Sequence, residues 1–87
     1  MHEASLLKDL MNKIMTVAET NASQHVIGVK VRLGALAHIS EEHFREHFER
    51  IAEGTIAAGA RLDIDISSDM TDPHAQDILL ESVELEE

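Results

Sequence analysis

Residues 25–34 read HVIGVKVRLG. Ile27, Val29, Val31 and Leu33 alternate with Gly28, Lys30 and Arg32, so one side of the segment is apolar and the other small or basic. A period of two predicts a half-buried strand, closed by Gly34. The segment decides the fold because the chain on either side of it keeps a different period.

Upstream, residues 5–19 (SLLKDLMNKIMTVAE) carry Leu7, Leu10, Met11, Ile14 and Ala18 at helical spacing, with Ser5 or Glu3 suited to the first turn. The pattern breaks at TNAS, which ends the predicted helix near Thr20. Downstream, Ser40 is a predicted N-cap, and Glu41 and Glu42 suit the positive end of the helix dipole. Phe44, Phe48, Ile51 and Ala52 form the expected buried stripe of this second helix, and Gly54 its stop. Residues 60–67 (ARLDIDIS) return to period two, with Leu62, Ile64 and Ile66 against Arg61, Asp63, Asp65 and Ser67. A last strand is expected around residues 78–87, ILLESVELEE.

Helix, strand, helix, strand, strand predicts an α+β, two-layer sandwich: a small three-stranded mixed sheet with two helices on one face. The outer face would show Lys30 and Arg32 near Asp63, Asp65 and Glu84. The first strand is therefore expected beside at least one acidic strand, because opposite charges across a ladder are mildly favourable. Residues 67–77 make a connection longer than the two to five residues or so of an ordinary hairpin loop.

The chain has 87 residues, enough for one domain, and only two aromatics, Phe44 and Phe48, so the core has to be aliphatic. A net charge of −10, with only seven Lys and Arg, argues against nucleic acid and against an anionic membrane surface. There is no cysteine, which excludes disulfides, thiol nucleophiles and zinc–thiolate sites; no zinc is expected. No signal-peptide core and no membrane-length apolar run occur, so the cytoplasm is the expected compartment.

Met1, His2 and Glu3 are the candidate metal ligands. A bulky second residue protects Met1, leaving an α-amine beside an imidazole. The amine, the His2 amide nitrogen and the His2 ring can wrap one ion in fused chelate rings, and the Glu3 amide, its carboxylate or another histidine can supply the fourth donor. Nitrogen-rich planar donation suits Ni(II) or Cu(II), and protons compete for every donor. Taken as two letters, a Met-His opening also arises without any metal role. His43 to His47 (HFREH) has the H-x-x-E-H spacing of inverted zinc proteases, but the chain offers little material for a third ligand and a cleft. His25, His38 and His74 fall in predicted turns or at element ends, where surface histidines are the default. Met11 and Met15 are read as core filling. No motif demands catalysis, and no enzyme is expected.

Together these stretches resemble the hydrogenase nickel-incorporation protein family of the HypA type. MHEASL is similar to the family's start, VKVRLGAL to its first strand and turn, HFERIAEGTIAAGARLDIDI to its second helix and next strand, and SVELEE to its closing strand. The resemblance implies a non-enzymatic carrier of Ni(II). Nickel would be held by the Met1 amine, the His2 side chain and amide, and the Glu3 amide. It implies as partners the large subunit of [NiFe] hydrogenase and a nickel-handling GTPase, with the chain a monomer or weak homodimer. The family inserts a zinc lobe with two C-x-x-C pairs before the last strand, where this chain has SSDMTDPHAQD. Residues 1–87 are thus expected to form a single HypA-like nickel-binding domain, with 67–77 as a short loop replacing that insert. The alternative is a protein-interaction adaptor that keeps the fold without nickel delivery.

Overall fold

The computed structural model describes residues 3–23 and 25–86. Its elements are α1 (Glu3–Thr20), β1 (Val26–Leu33), α2 (Glu41–Ala52), β2 (Arg61–Ile66) and β3 (Ile78–Leu85). Helix α1 starts before Ser5, so Ser5 lies inside its first turn. Ser40 caps α2 as its sequence predicts: its hydroxyl accepts the His43 N–H at 3.1 Å, satisfying one donor the helix cannot. At the other end Gly54 takes a left-handed φ of 76°, which turns the chain out of the helix.

The sheet order is β2–β1–β3, with β1 parallel to β2 and antiparallel to β3. A parallel pair needs a long crossover, which α2 and the turns of residues 53–60 supply. Both helices cover one face. Val26, Val29, Val31, Leu33, Leu62 and Ile78 from the strands share one buried cluster with Leu7, Leu10, Ile14, Phe44 and Phe48 from the helices. The mixed two-layer architecture is therefore the one expected from the periods.

Two inward assignments are corrected. Ile27 is 39 % exposed and Val26, not Ile27, is fully buried. The cause is a bulge: Val26 pairs with Leu85 but Gly28 with Glu84, so Ile27 is an extra residue on β1 and parity changes there. A second shift follows, where Lys30 pairs with Ser82 and Val31 with Leu80, leaving Glu81 extra on β3. Ile66, expected to point inward with Leu62 and Ile64, is 58 % exposed at the end of the edge strand β2. Ile51 is only half-buried at the margin of the α2 stripe.

The outer face carries the charge pairing expected between β1 and an acidic strand. Lys30 lies in register with Asp63 and Arg32 with Asp65, the Arg32 Nε standing 3.5 Å from an Asp65 oxygen. That contact is an ion pair without hydrogen-bond geometry. Arg61 donates to Asp63 at 3.0 Å and to Glu84 at 2.9 Å. The second bond passes over Gly28, which is in register with both Arg61 and Glu84. A Cβ at Gly28 would stand 2.8 Å from the Arg61 guanidinium, so glycine leaves room for side chains of the two edge strands to meet across the central one. The hydrogen bonds to Asp63 and then Glu84 hold the Arg61 pKa above its usual value.

Residues 67–77 form a chain of turns. Thr71 donates through both its N–H (2.9 Å) and its hydroxyl (2.7 Å) to the Asp69 carboxylate. The Asp72 carboxylate accepts the His74 N–H at 2.8 Å. The segment is sewn to the end of β1: Gly34 N–H donates to Asp77 O at 2.9 Å and Leu36 N–H to Ala75 O at 2.7 Å. Gly34 lies so close to this loop that a Cβ there would meet three backbone atoms of residues 74 and 75. Ala75 is buried against it.

Candidate metal centre

Of the three candidate ligands, Met1 and His2 lie outside the described residues, and Glu3 is placed as the first residue of α1. The first four N–H groups of a helix have no partner within it. The Glu3 amide nitrogen is one of these, so it is not committed to the helix ladder.

The surroundings of that helix start are well defined. Leu6, in the first turn of α1, borders a cleft of about 300 Å³ that is also lined by Leu36, His38, Ile39, Gln76 and Ile78. Leu6 also borders a second cleft of about 280 Å³, lined among others by Asp9, Lys13, His74 and Asp77. The end of the molecule where the chain begins is thus built by two connections, residues 34–40 and 67–77, folded beside α1.

Two histidines read from the sequence as surface residues stand at these clefts. His38 is exposed and takes a left-handed φ of 56°. A ring nitrogen of His74 lies 3.0 Å from an Asp77 carboxylate oxygen, a contact that fixes the imidazole's orientation. Neither position carried a sequence signal, because the connections that hold them come together only through the Gly34–Ala75 packing. His25 lies elsewhere, 3.2 Å from Glu86 at the far end of β3. His43 and His47 face each other on α2 with ring centroids 4.4 Å apart. Among the described residues, no group of three or more His, Asp or Glu is arranged to hold a metal ion. The H-x-x-E-H spacing therefore brings two imidazoles together without a third such ligand among those residues. No helix among the described residues is long and apolar enough to cross a membrane.

Comparison with known proteins gives this geometry a family. Residues 1–72 match the family described as "Hydrogenase/urease nickel incorporation, metallochaperone, hypA". A hydrogenase maturation factor HypA of Methylocella silvestris is 41% identical over 66 residues, which is 76% of this chain and 58% of that protein. The hydrogenase maturation factor HybF of Salmonella typhimurium is 37% identical over 65 residues, 75% of this chain and 58% of the relative. The match to these relatives thus spans little more than half their length. The solution structure of the Ni metallochaperone HypA from Helicobacter pylori superposes with a TM-score of 0.79 at 19% identity, covering 98% of this chain and 97% of that one. At that identity the likeness speaks for the fold, and it extends through β3, beyond the reach of the family match. The family's description is that of a metallochaperone, a carrier of metal. This chain belongs to the HypA family of hydrogenase/urease nickel-incorporation metallochaperones.

Proposed function

We propose that the chain is a nickel carrier for [NiFe] hydrogenase maturation that holds Ni(II) at Met1, His2 and Glu3. The observation that carries the reading is that the Met-His-Glu opening falls inside the family match of residues 1–72. The Met1 amine, the His2 amide and ring nitrogens and the Glu3 amide supply four nitrogen donors, the set a square-planar d⁸ ion prefers. Using the Glu3 amide costs α1 no internal hydrogen bond, since that N–H is among the helix's orphan donors. A chelate at a chain end is open to a receiving protein, which suits delivery better than a caged site. By resemblance the receivers are the hydrogenase large subunit and a nickel-handling GTPase, in the cytoplasm, with the carrier a monomer or weak homodimer. The 87 residues act as one nickel-binding domain, in which 67–77 stands as a short loop in place of a zinc-binding insert. With no cysteine in the chain, no zinc is expected in it.

One observation favours a second reading, a HypA-like adaptor without nickel delivery: the match covers only 58% of the Methylocella relative. A nickel titration separates the two. Untagged protein with a free Met1 is compared with His2→Ala and with a variant extended by one residue before Met1. The carrier reading expects a Ni(II) with a planar d–d absorption band, that band lost in both variants, and binding at this site that weakens as pH falls because protons compete for the amine, imidazole and amides. An unchanged titration in all three proteins would remove the amino-terminal site and leave the adaptor.

A further inference from the structure

The HFREH stretch of α2 is left unused by the amino-terminal chelate. His43 and His47 are one helical turn apart, on the flank beside the buried Phe44 and Phe48. Their side chains do not splay: the ring centroids are 4.4 Å apart and the planes are tilted by 38°. His43 is exposed and His47 half-buried.

The spacing has a chemical meaning. With a metal–nitrogen bond of about 2.0–2.1 Å, and the nitrogen about 1.1 Å from its ring centre, each centroid stands about 3.2 Å from a bound ion. Two rings bound at a right angle would then have centroids about 4.5 Å apart, and two bound at a tetrahedral angle about 5.2 Å. The observed 4.4 Å is close to the first value, so one ion can bind a nitrogen of each ring in a cis arrangement with little change in ring separation. The backbone already fixes both Cα atoms within one turn of a capped helix, so a chelated ion has little chain entropy to overcome.

We propose that His43 and His47 form a second metal site on α2, a bis-imidazole chelate for a late divalent transition ion such as Ni(II), with water filling the remaining positions. The site is distinct from the amino-terminal chelate and uses none of its donors. Its ligands are two exchangeable neutral nitrogens, so it binds more weakly and releases faster than a site built on deprotonated amides. A chain with both sites takes up two ions, one held firmly and one loosely.

The test uses untagged full-length protein carrying one extra residue before Met1, which disables the amino-terminal chelate and leaves α2 intact. Calorimetric titration with Ni(II) alone is expected to show one ion bound. His43→Gln and His47→Gln should each weaken that binding at least tenfold, with unchanged far-ultraviolet circular dichroism showing that α2 still forms. A paramagnetic or shifted imidazole signature at His43 and His47 in the NMR spectrum of the nickel-loaded extended protein would locate the ion. The proposal is overturned if the extended protein binds no nickel, or if it binds nickel with equal strength after both substitutions. Loss of nickel from the His2→Ala protein bears on the first site alone, so failure of one site is told apart from failure of the other.

Discussion

Replacing Gly34 by alanine tests how firmly residues 67–77 are built into the molecule. The added Cβ would stand 2.2 Å from the Ala75 carbonyl oxygen, 2.5 Å from its carbon and 2.6 Å from the His74 oxygen. All three are backbone atoms, so no rotamer change relieves the contact, and the loop has to move away from the end of β1. That movement strains the Gly34–Asp77 and Leu36–Ala75 hydrogen bonds, worth about 0.5–1.5 kcal/mol each. It also opens the packing around Ala75, and overpacking of this kind costs about 1–3 kcal/mol. The expected loss is about 2–4 kcal/mol, which in a domain of this size lowers Tm by roughly 8–32 °C. Gly28→Ala is the matched control. There the Cβ meets only the ends of the Arg61 and Glu84 side chains, at 2.8 and 3.0 Å, and these can swing aside. Its cost should be far smaller than that of Gly34→Ala, because only exposed side-chain ends have to move. Urea and thermal unfolding of the two variants beside the parent protein measure both values. Equal stabilities for Gly34→Ala and the parent would refute the claim that the loop is a fixed part of the fold.

Two further predictions concern single hydrogen-bonding groups. Ser40→Ala removes the acceptor of the His43 N–H and should cost about 1 kcal/mol in chemical denaturation, with Ser40→Asp restoring most of it. The Thr71 side-chain hydrogen bond, then its backbone N–H, holds the Asp69 carboxyl below its usual pKa. Because the folded pKa is the lower one, the stabilisation is complete above the unfolded pKa and is lost as pH falls through the folded value. Thr71→Val should move the Asp69 titration upward in carboxyl-carbon NMR. Its stability deficit should be present at neutral pH and vanish in strong acid, and an unmoved Asp69 titration would contradict the assignment.

The two helices and three strands were legible because their periods are clean. Leu7, Leu10, Ile14 and Ala18 mark one stripe of α1, and Val29, Val31 and Leu33 one face of β1, and all are buried. The charge complementarity of Lys30 and Arg32 with Asp63 and Asp65 was legible too, since the strand neighbouring β1 had to answer its basic face. Ile27 was misread because alternation counted back from Val29 cannot detect a residue looped out of the ladder; only the pairing with β3 reveals it. Ile66 was misread because hydrophobicity records a side chain's preference, while burial depends on whether a helix reaches the strand's end. At the candidate metal centre, Met1, His2 and Glu3 were readable as letters at the start of the chain. His38 and His74 were not, because they meet the helix start only through a loop contact between distant residues.

The two shifts between β1 and β3 have a consequence for how this chain can change over generations. Val26 opposite Leu85 and Leu33 opposite Ile78 obey one pairing rule, and the rungs from Gly28 to Lys30 obey another offset by one. Ile27 introduces the offset and Glu81 removes it, so each is a spare residue with no rung of its own. Losing either would shorten a strand by one residue and heal the ladder locally, leaving every neighbouring side chain on the face it already occupies. Such positions let a protein gain or lose length without rewriting its pattern. An alternation that looks broken in one lineage can therefore be the same sheet, carrying one residue more.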